Sequence, residues 1–230
     1  MFTGIVEALG VVESIQRHEV NQAPVVRLVV VTDLPVEAMP IGASIAVDGV
    51  CLTIVGRTAG HFAADLGPET LALTTLGALE PGSRVHLERP LKLGDPLGGH
   101  LVLGHVDVMG TVVSRRQVGS SLELEVSVPS PVSRYLAAKG SIAVDGVSLT
   151  VNTVVGDVAS MMLVPHTLEA TKLSDKRVGD AVNLEADMIV KHIDRLVAAQ
   201  LGGDERGSAG GHTPRREISI DTLRRYGFVR

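Results

Sequence analysis

The chain has no tryptophan, three phenylalanines and two tyrosines in 230 residues. It therefore lacks the run of rings on which the bases of single-stranded nucleic acid stack. A single cysteine, Cys51, rules out an intramolecular disulfide and a cysteine-built zinc cage within one chain. There is no basic stripe: 21 Lys and Arg stand against 26 Asp and Glu, a net charge of −5, which argues against a phosphate-binding surface. No apolar run approaches the roughly 18 residues of a membrane-spanning helix, and the Met1 region lacks the basic start and long apolar stretch of a secretory signal. The expectation is a soluble cytoplasmic protein that binds neither nucleic acid nor membrane. What the chain has in quantity is glycine (25), proline (11) and valine, the composition of many short strands joined by tight turns. Its length suits one large or two small domains, each of them able to bury a core.

Comparison of the sequence with itself decides between these. Ser44–Thr53 reads SIAVDGVCLT and Ser141–Thr150 reads SIAVDGVSLT, an offset of 97 residues with one difference, Cys51 against Ser148. At the same offset Pro68, Thr70, Leu71, Thr74, Leu76, Gly82, Val85, Leu87 and Glu88 meet Pro165, Thr167, Leu168, Thr171, Leu173, Gly179, Val182, Leu184 and Glu185. The start repeats with a three-residue slip, GIVEALGVV from Gly4 answering GHVDVMGTVV from Gly104. The period is too long for a solenoid unit and right for a small domain. The reading is a duplication, with copies at 1–97 and 98–187.

Each copy is patterned as all-β. Val25–Thr32 and Leu122–Val128 are β-branched or alternating runs, and Asp48-Gly49 and Asp145-Gly146 lie between apolar segments, a strong hairpin signal. Many short strands at close intervals predict closed barrels, which leave no exposed edge. Short helical turns are expected at Glu69–Leu76 and Val132–Lys139. A longer helix follows the second copy over 188–202. There Ile189, Ile193, Leu196, Val197 and Leu201 form one apolar stripe, Asp187 is placed to cap it and Gly202-Gly203 to end it. The stripe needs a partner, either another copy of the chain or the chain's own barrels. Residues 203–230 read as a flexible linker followed by an amphipathic end with docking character.

A duplicated element implies two like pockets. Ser44, Cys51 and Thr53 in one copy answer Ser141, Ser148 and Thr150 in the other, and residues two apart on a strand share a face. Hydroxyls on a strand face suit a neutral ligand rich in hydrogen-bonding groups, although threonine also favours strands for packing reasons alone. The copies differ where chemistry would need them to. His105 stands for Ile5, Cys51 for Ser148 and Asp65 for Met162. Histidine titrates near neutral pH, which makes His105 the natural proton carrier. Cys51 is either a nucleophile or a small core residue. His100 and His105 fall on opposite strand faces with no carboxylate cluster after them, so no metal site is expected.

Together, MFTGIVEALG, VDGVCLTI, VDGVSLTV, GGHLVLGHVD and PHTLEATKL resemble riboflavin synthase of the two-barrel, lumazine-binding type over about residues 1–200. The resemblance implies an all-β fold of two tandem six-stranded antiparallel Greek-key barrels with a C-terminal α-helix, assembled as a homotrimer through that helix. It implies a transferase that dismutates two molecules of 6,7-dimethyl-8-ribityllumazine by four-carbon transfer, yielding riboflavin and 5-amino-6-ribitylamino-uracil, with no cofactor or metal. It places His105, Ser44 and Cys51 in catalysis. It places Phe2, Thr3, Gly4, Val6, Cys51, Thr53, Asp65, Gly104, His105, Lys139, Ser148, Thr150 and Asp187 around the substrates, Asp187 being explicable equally as a helix cap. His86 departs from the family's asparagine, which the second copy keeps as Asn183. The alternative is a non-catalytic lumazine- or flavin-binding relative. For the tail, docking onto lumazine synthase is the expectation.

Overall fold

The computed structural model describes residues 1–20, 23–201, 224, 225 and 227. The tail expected at 203–230 therefore lies almost wholly outside the described residues. The first copy forms β1 (Ala8–Val20), β2 (Ala23–Val31), β3 (Ser44–Val47), β4 (Val50–Thr58), β5 (His61–Leu66) and β6 (Arg84–Glu88), with helix α1 (Pro68–Leu73) between the last two. The second repeats it as β7 (Val108–Val118), β8 (Ser121–Ser127), β9 (Ser141–Val144), β10 (Val147–Val155), β11 (Val158–Leu163), α2 (Pro165–Ala170) and β12 (Ala181–Ala186). Helix α3 (Met188–Leu201) follows.

Each copy closes into an antiparallel six-stranded barrel in the order β1-β2-β5-β4-β3-β6, matched by β7-β8-β11-β10-β9-β12. Even the irregularities repeat. The β1/β2 register slips between Val12 and Ser14 and the β4/β5 register between Ile54 and Gly56. In the second barrel it slips between Val112 and Ser114 and between Val151 and Thr153. Such bulges bend a strand, and small barrels need bent strands to close.

Aromatic scarcity shows in the cores. Phe62 joins Leu28, Val30, Ile45, Ile54 and Leu66 in the first barrel, while Leu124, Ile142, Val151, Met161 and Leu163 fill the second. Each such side chain contributes about 1.5–3 kcal/mol of burial. No helix among the described residues is long and apolar enough to cross a membrane.

Short helical turns form in both expected segments. Over 69–76 they are two: α1 stops at Leu73 and a 3-10 turn follows over Thr75–Ala78. Thr74 is the cause: it is extended, its hydroxyl donates to the Thr70 carbonyl at 2.6 Å and accepts from the Leu76 N–H at 3.2 Å. At 132–139 only the 3-10 turn Ser133–Tyr135 forms. Lys139 is in the left-handed region, φ +70°, and a segment this short cannot repay helix nucleation. Helix α3 forms, and the Ile189 N–H donates to the Asp187 carboxylate at 2.9 Å, an N-terminal cap. Its stripe does not pack on the barrels: Ile189, Ile193, Leu196 and Val197 are 51%, 54%, 66% and 45% exposed.

Candidate functional site

Strand β4 alternates with period two. Val50, Leu52 and Ile54 point into the barrel, while half-buried Cys51 and exposed Thr53 point out. Ser44 lies opposite Thr53 and Ala46 opposite Cys51, so Ser44, Cys51 and Thr53 share one outer sheet face. In the second barrel the same pairing brings Ser141, Ser148 and Thr150 onto one face. The hydroxyl groups thus lie on the outer surfaces of the barrels.

Each face carries a strap from the opposite copy. The Cys51 N–H donates to the Gly104 carbonyl at 2.8 Å, and the Ser148 N–H donates to the Gly4 carbonyl at 2.7 Å. Both glycines are left-handed, φ +76° and +79°, and a Cβ on them would lie 2.6 Å from the Ser148 Cβ and 2.5 Å from the Cys51 Cβ. Only glycine meets both conditions. Beyond the glycines, Val106 packs against the first-barrel core and Val6 against the second. His105, exposed, thereby follows the strap on the Cys51 face, and Ile5 occupies the corresponding position on the Ser148 face.

Two buried carboxylates clamp these straps. Glu88 accepts from the Thr3 N–H at 2.6 Å, the Thr3 hydroxyl at 2.7 Å and the Gly4 N–H at 3.0 Å. Glu185 accepts from the Leu103 and Gly104 N–H groups at 2.7 and 3.0 Å. Burial pushes both carboxyls above the usual range, against the pull of these donors. The clamps were not among the expected site residues, yet the matched Glu88/Glu185 pair in the repeat was their signal.

Other expected residues have defined surroundings. Phe2 is wholly buried between the barrels with Val102, Ala46 and Ala143, and Cys51 packs against this cluster. Asp65, on the outer face of β5, accepts two hydrogen bonds from the Arg27 guanidinium at 2.8 and 2.9 Å, which holds its carboxyl below the ordinary range. Lys139 is exposed at the end of the second barrel's 139–140 turn, its N–H donating to the Val151 carbonyl at 2.7 Å.

The seam between barrels explains His86. Asn183 donates through Nδ2 to the Asp48 carbonyl at 2.8 Å and accepts at Oδ1 from the Thr75 N–H at 2.8 Å. His86 repeats this from the other side. Its Nδ1 lies 2.8 Å from the Asp145 carbonyl and its Nε2 accepts from the Lys172 N–H at 2.8 Å. A neutral imidazole with its proton on Nδ1 thus replaces a carboxamide group for group. The hairpin carboxylates take part as well: Asp48 accepts from the His86 N–H and Asp145 from the Asn183 N–H, while Lys172 and Lys176 pair with them. Burial pushes the His86 pKa down, outweighing the attraction of Asp48 and Asp145.

A cavity of about 860 Å³ lies elsewhere on the first barrel, among Pro35, Met39, Pro40, Arg89 and Pro96. Of the expected site residues it takes in only Thr3. On the second barrel α3 crosses the corresponding end: Lys191 pairs with Asp107 where Arg89 pairs with Glu7, and Arg134 pairs with Asp194. The strapped faces, with their hydroxyls and His105, are therefore the better candidate for chemistry.

A family model described as the lumazine binding domain matches residues 3–90 and again 103–187. The chain is 38% identical to riboflavin synthase of Photobacterium phosphoreum, with all of both chains covered. It is 44% identical to riboflavin synthase of Mycobacterium tuberculosis over 86% of this chain and 98% of that one. Among solved structures it superposes on LumP complexed with riboflavin with a TM-score of 0.73 at 23% identity, covering 81% of this chain and 99% of that one. The LumP complex with 6,7-dimethyl-8-(1'-D-ribityl) lumazine gives 0.71 at 22% identity, over 81% and 99% of the two chains. At that identity the likeness is one of fold.

Proposed function

The chain belongs to the lumazine-binding family and, within it, to the riboflavin synthases, and on that premise we propose that its two strapped faces are the two substrate pockets. The reaction is the dismutation of two 6,7-dimethyl-8-ribityllumazine molecules into riboflavin and 5-amino-6-ribitylamino-uracil. The observation that carries the site assignment is the reciprocal strap. Each barrel presents a hydroxyl-bearing strand face closed along one side by the other copy's start, so each pocket is drawn from both halves of the chain.

In the first pocket Ser44, Cys51, Thr53 and Asp65 face the ligand beside Gly104 and His105. Phe2 and Thr3 hold the strap roots. In the second, Gly4, Lys139, Ser148, Thr150 and Asp187 face the ligand, and Val6 anchors the strap on the barrel core. Two heterocycles held face to face react as if within one molecule, an advantage of up to roughly 7–11 kcal/mol. His105 carries the proton taken from the C7 methyl of one lumazine, and a nucleophile adding at C7 of the other makes it the acceptor. The difference between His105 and Ile5 gives the two pockets separate roles. Because both faces lie on the outside of their barrels, the working site pairs the first barrel of one subunit with the second barrel of its neighbour. The exposed stripe of α3 supplies the contact for a homotrimer. The protein works in the cytoplasm, and the amphipathic end of residues 203–230 docks onto lumazine synthase, which co-purification after deletion of 204–230 tests.

A non-catalytic lumazine- or flavin-binding protein on the same fold is the second reading. One assay separates them. Incubation with 6,7-dimethyl-8-ribityllumazine alone yields riboflavin and the pyrimidine in equal amounts from a synthase, and binding without turnover from a carrier. His105→Ala lowers kcat by about 10²–10⁴ if His105 moves the proton. A smaller loss assigns His105 to positioning.

A further inference from the structure

The second pocket contains a histidine that the reaction as described does not use. Segment 98–100 runs over β10. A Cβ on Gly99 would lie 2.2 Å from the Thr3 carbonyl oxygen and 2.8 Å from the Ser148 hydroxyl, so a glycine is what lets the chain pass this close. The next residue, His100, is 8% exposed; its N–H donates to the Thr3 carbonyl at 3.1 Å. Its Nδ1 lies 2.7 Å from Ser148 Oγ. Its Nε2 is buried without a hydrogen-bond partner among the described residues. Burial favours the neutral ring, and Asp187 is the charged group that acts on it in the opposite sense.

We propose that His100 is a positioning residue of the second pocket: with its proton on Nε2, its Nδ1 accepts from the Ser148 hydroxyl and turns the oxygen lone pairs toward the bound lumazine. Ser148 then serves as an acceptor for an N–H or O–H of the ligand, such as the ring imide or a ribityl hydroxyl. With its proton on Nδ1, His100 would instead donate to the serine oxygen and turn the hydroxyl proton outward, so the pocket would offer a donor where it had offered an acceptor. Cys51, at the matching position of the first pocket, is a far weaker acceptor. The two pockets would then hold the same molecule by different groups, which would help assign donor and acceptor roles.

The inference rests on the assignment of Ser148 to the second pocket, and the test separates the two. Steady-state kinetics with 6,7-dimethyl-8-ribityllumazine are compared for the full chain, His100→Leu, His100→Asn, Ser148→Ala and the double variant H100L/S148A. Loss of one oriented hydrogen bond raises KM about three- to tenfold in H100L and in S148A, with kcat changed less. The double variant is expected to match S148A alone, because His100 acts through that hydroxyl. H100N, which keeps an acceptor near Nδ1, recovers most of the loss. Imidazole ¹⁵N shifts of the folded chain should show Nδ1 unprotonated at neutral pH. Additive losses in the double variant, or a protonated Nδ1, would overturn the proposal. An unchanged KM in S148A would instead remove Ser148 from the pocket, and the proposal with it.

Discussion

Replacing His86 with asparagine should remove an acid sensitivity from the fold while leaving its stability near neutral pH close to unchanged. Both hydrogen bonds of His86 require the neutral ring, since Nε2 must accept from the Lys172 N–H while Nδ1 donates to the Asp145 carbonyl. Burial lowers the ring's pKa in the folded state. For a base with a depressed folded pKa the sign is fixed. Above the unfolded value, near 6.5, neither state carries the proton and nothing is lost. Below it the unfolded chain takes up a proton that the folded chain refuses, and stability falls as pH falls. The loss approaches about 1.4 kcal/mol between pH 8 and pH 5.5 if the folded ring stays neutral throughout. Asparagine removes that titration and keeps one donor and one acceptor; Asn183 shows that its reach suffices at the matching position. Urea unfolding of the full chain and of His86→Asn across pH 5–8 isolates the effect, because all other titrating groups are common to both. Between pH 8 and pH 5.5 wild type should lose up to about 1.4 kcal/mol more than the variant. Parallel profiles would refute the neutral ring assigned to His86 in the fold. His86→Ala, which strands a buried carbonyl and a buried N–H, should cost about 2–4 kcal/mol at neutral pH.

Gly104→Ala should cost more than the roughly 1–2 kcal/mol of a left-handed alanine, because its Cβ also meets Cys51 at 2.5 Å. Gly94→Ala, at φ +96° with open space around it, isolates the backbone part, and equal unfolding midpoints for the two would dismiss the contact. Turnover should fall at least about tenfold in Gly104→Ala alone, as displacement of a positioning element does. Leu196→Lys, on the exposed stripe of α3, removes about 1.5–3 kcal/mol of burial from each helix of a trimer. Light scattering should report a lower mass, and an unchanged mass would take α3 out of the assembly.

Much of this was legible in one sequence because the duplication made it so. Outward Cys51 and Thr53 follow from strand alternation, and the hairpins follow from Asp48-Gly49 and Asp145-Gly146, whose φ values are positive as the turn requires. That the same aspartates also hold the N–H groups of His86 and Asn183 was not legible. Those partners come from another strand, 38 residues away. The crossing of the straps was hidden for the same reason: the Phe2–Val102 bridge that starts it joins the two copies, and no local periodicity encodes it. The partner of Asp65 was hidden likewise: Arg27 faces it across the sheet from a strand 38 residues away. The helical turn expected at 132–139 forms, though only over Ser133–Tyr135, because the segment is too short to extend it.

The reciprocal straps are an exchange of equivalent elements between like units, the arrangement by which swapped dimers form. Two separate single-barrel chains could make the same contacts, but rotational symmetry would hold their sites identical, residue for residue. Joining the units in one polypeptide lifts that restriction. Substitutions at Ile5 and His105, or at Cys51 and Ser148, can then be inherited independently, and a reaction whose two substrate molecules are chemically the same can be run by two sites that are not.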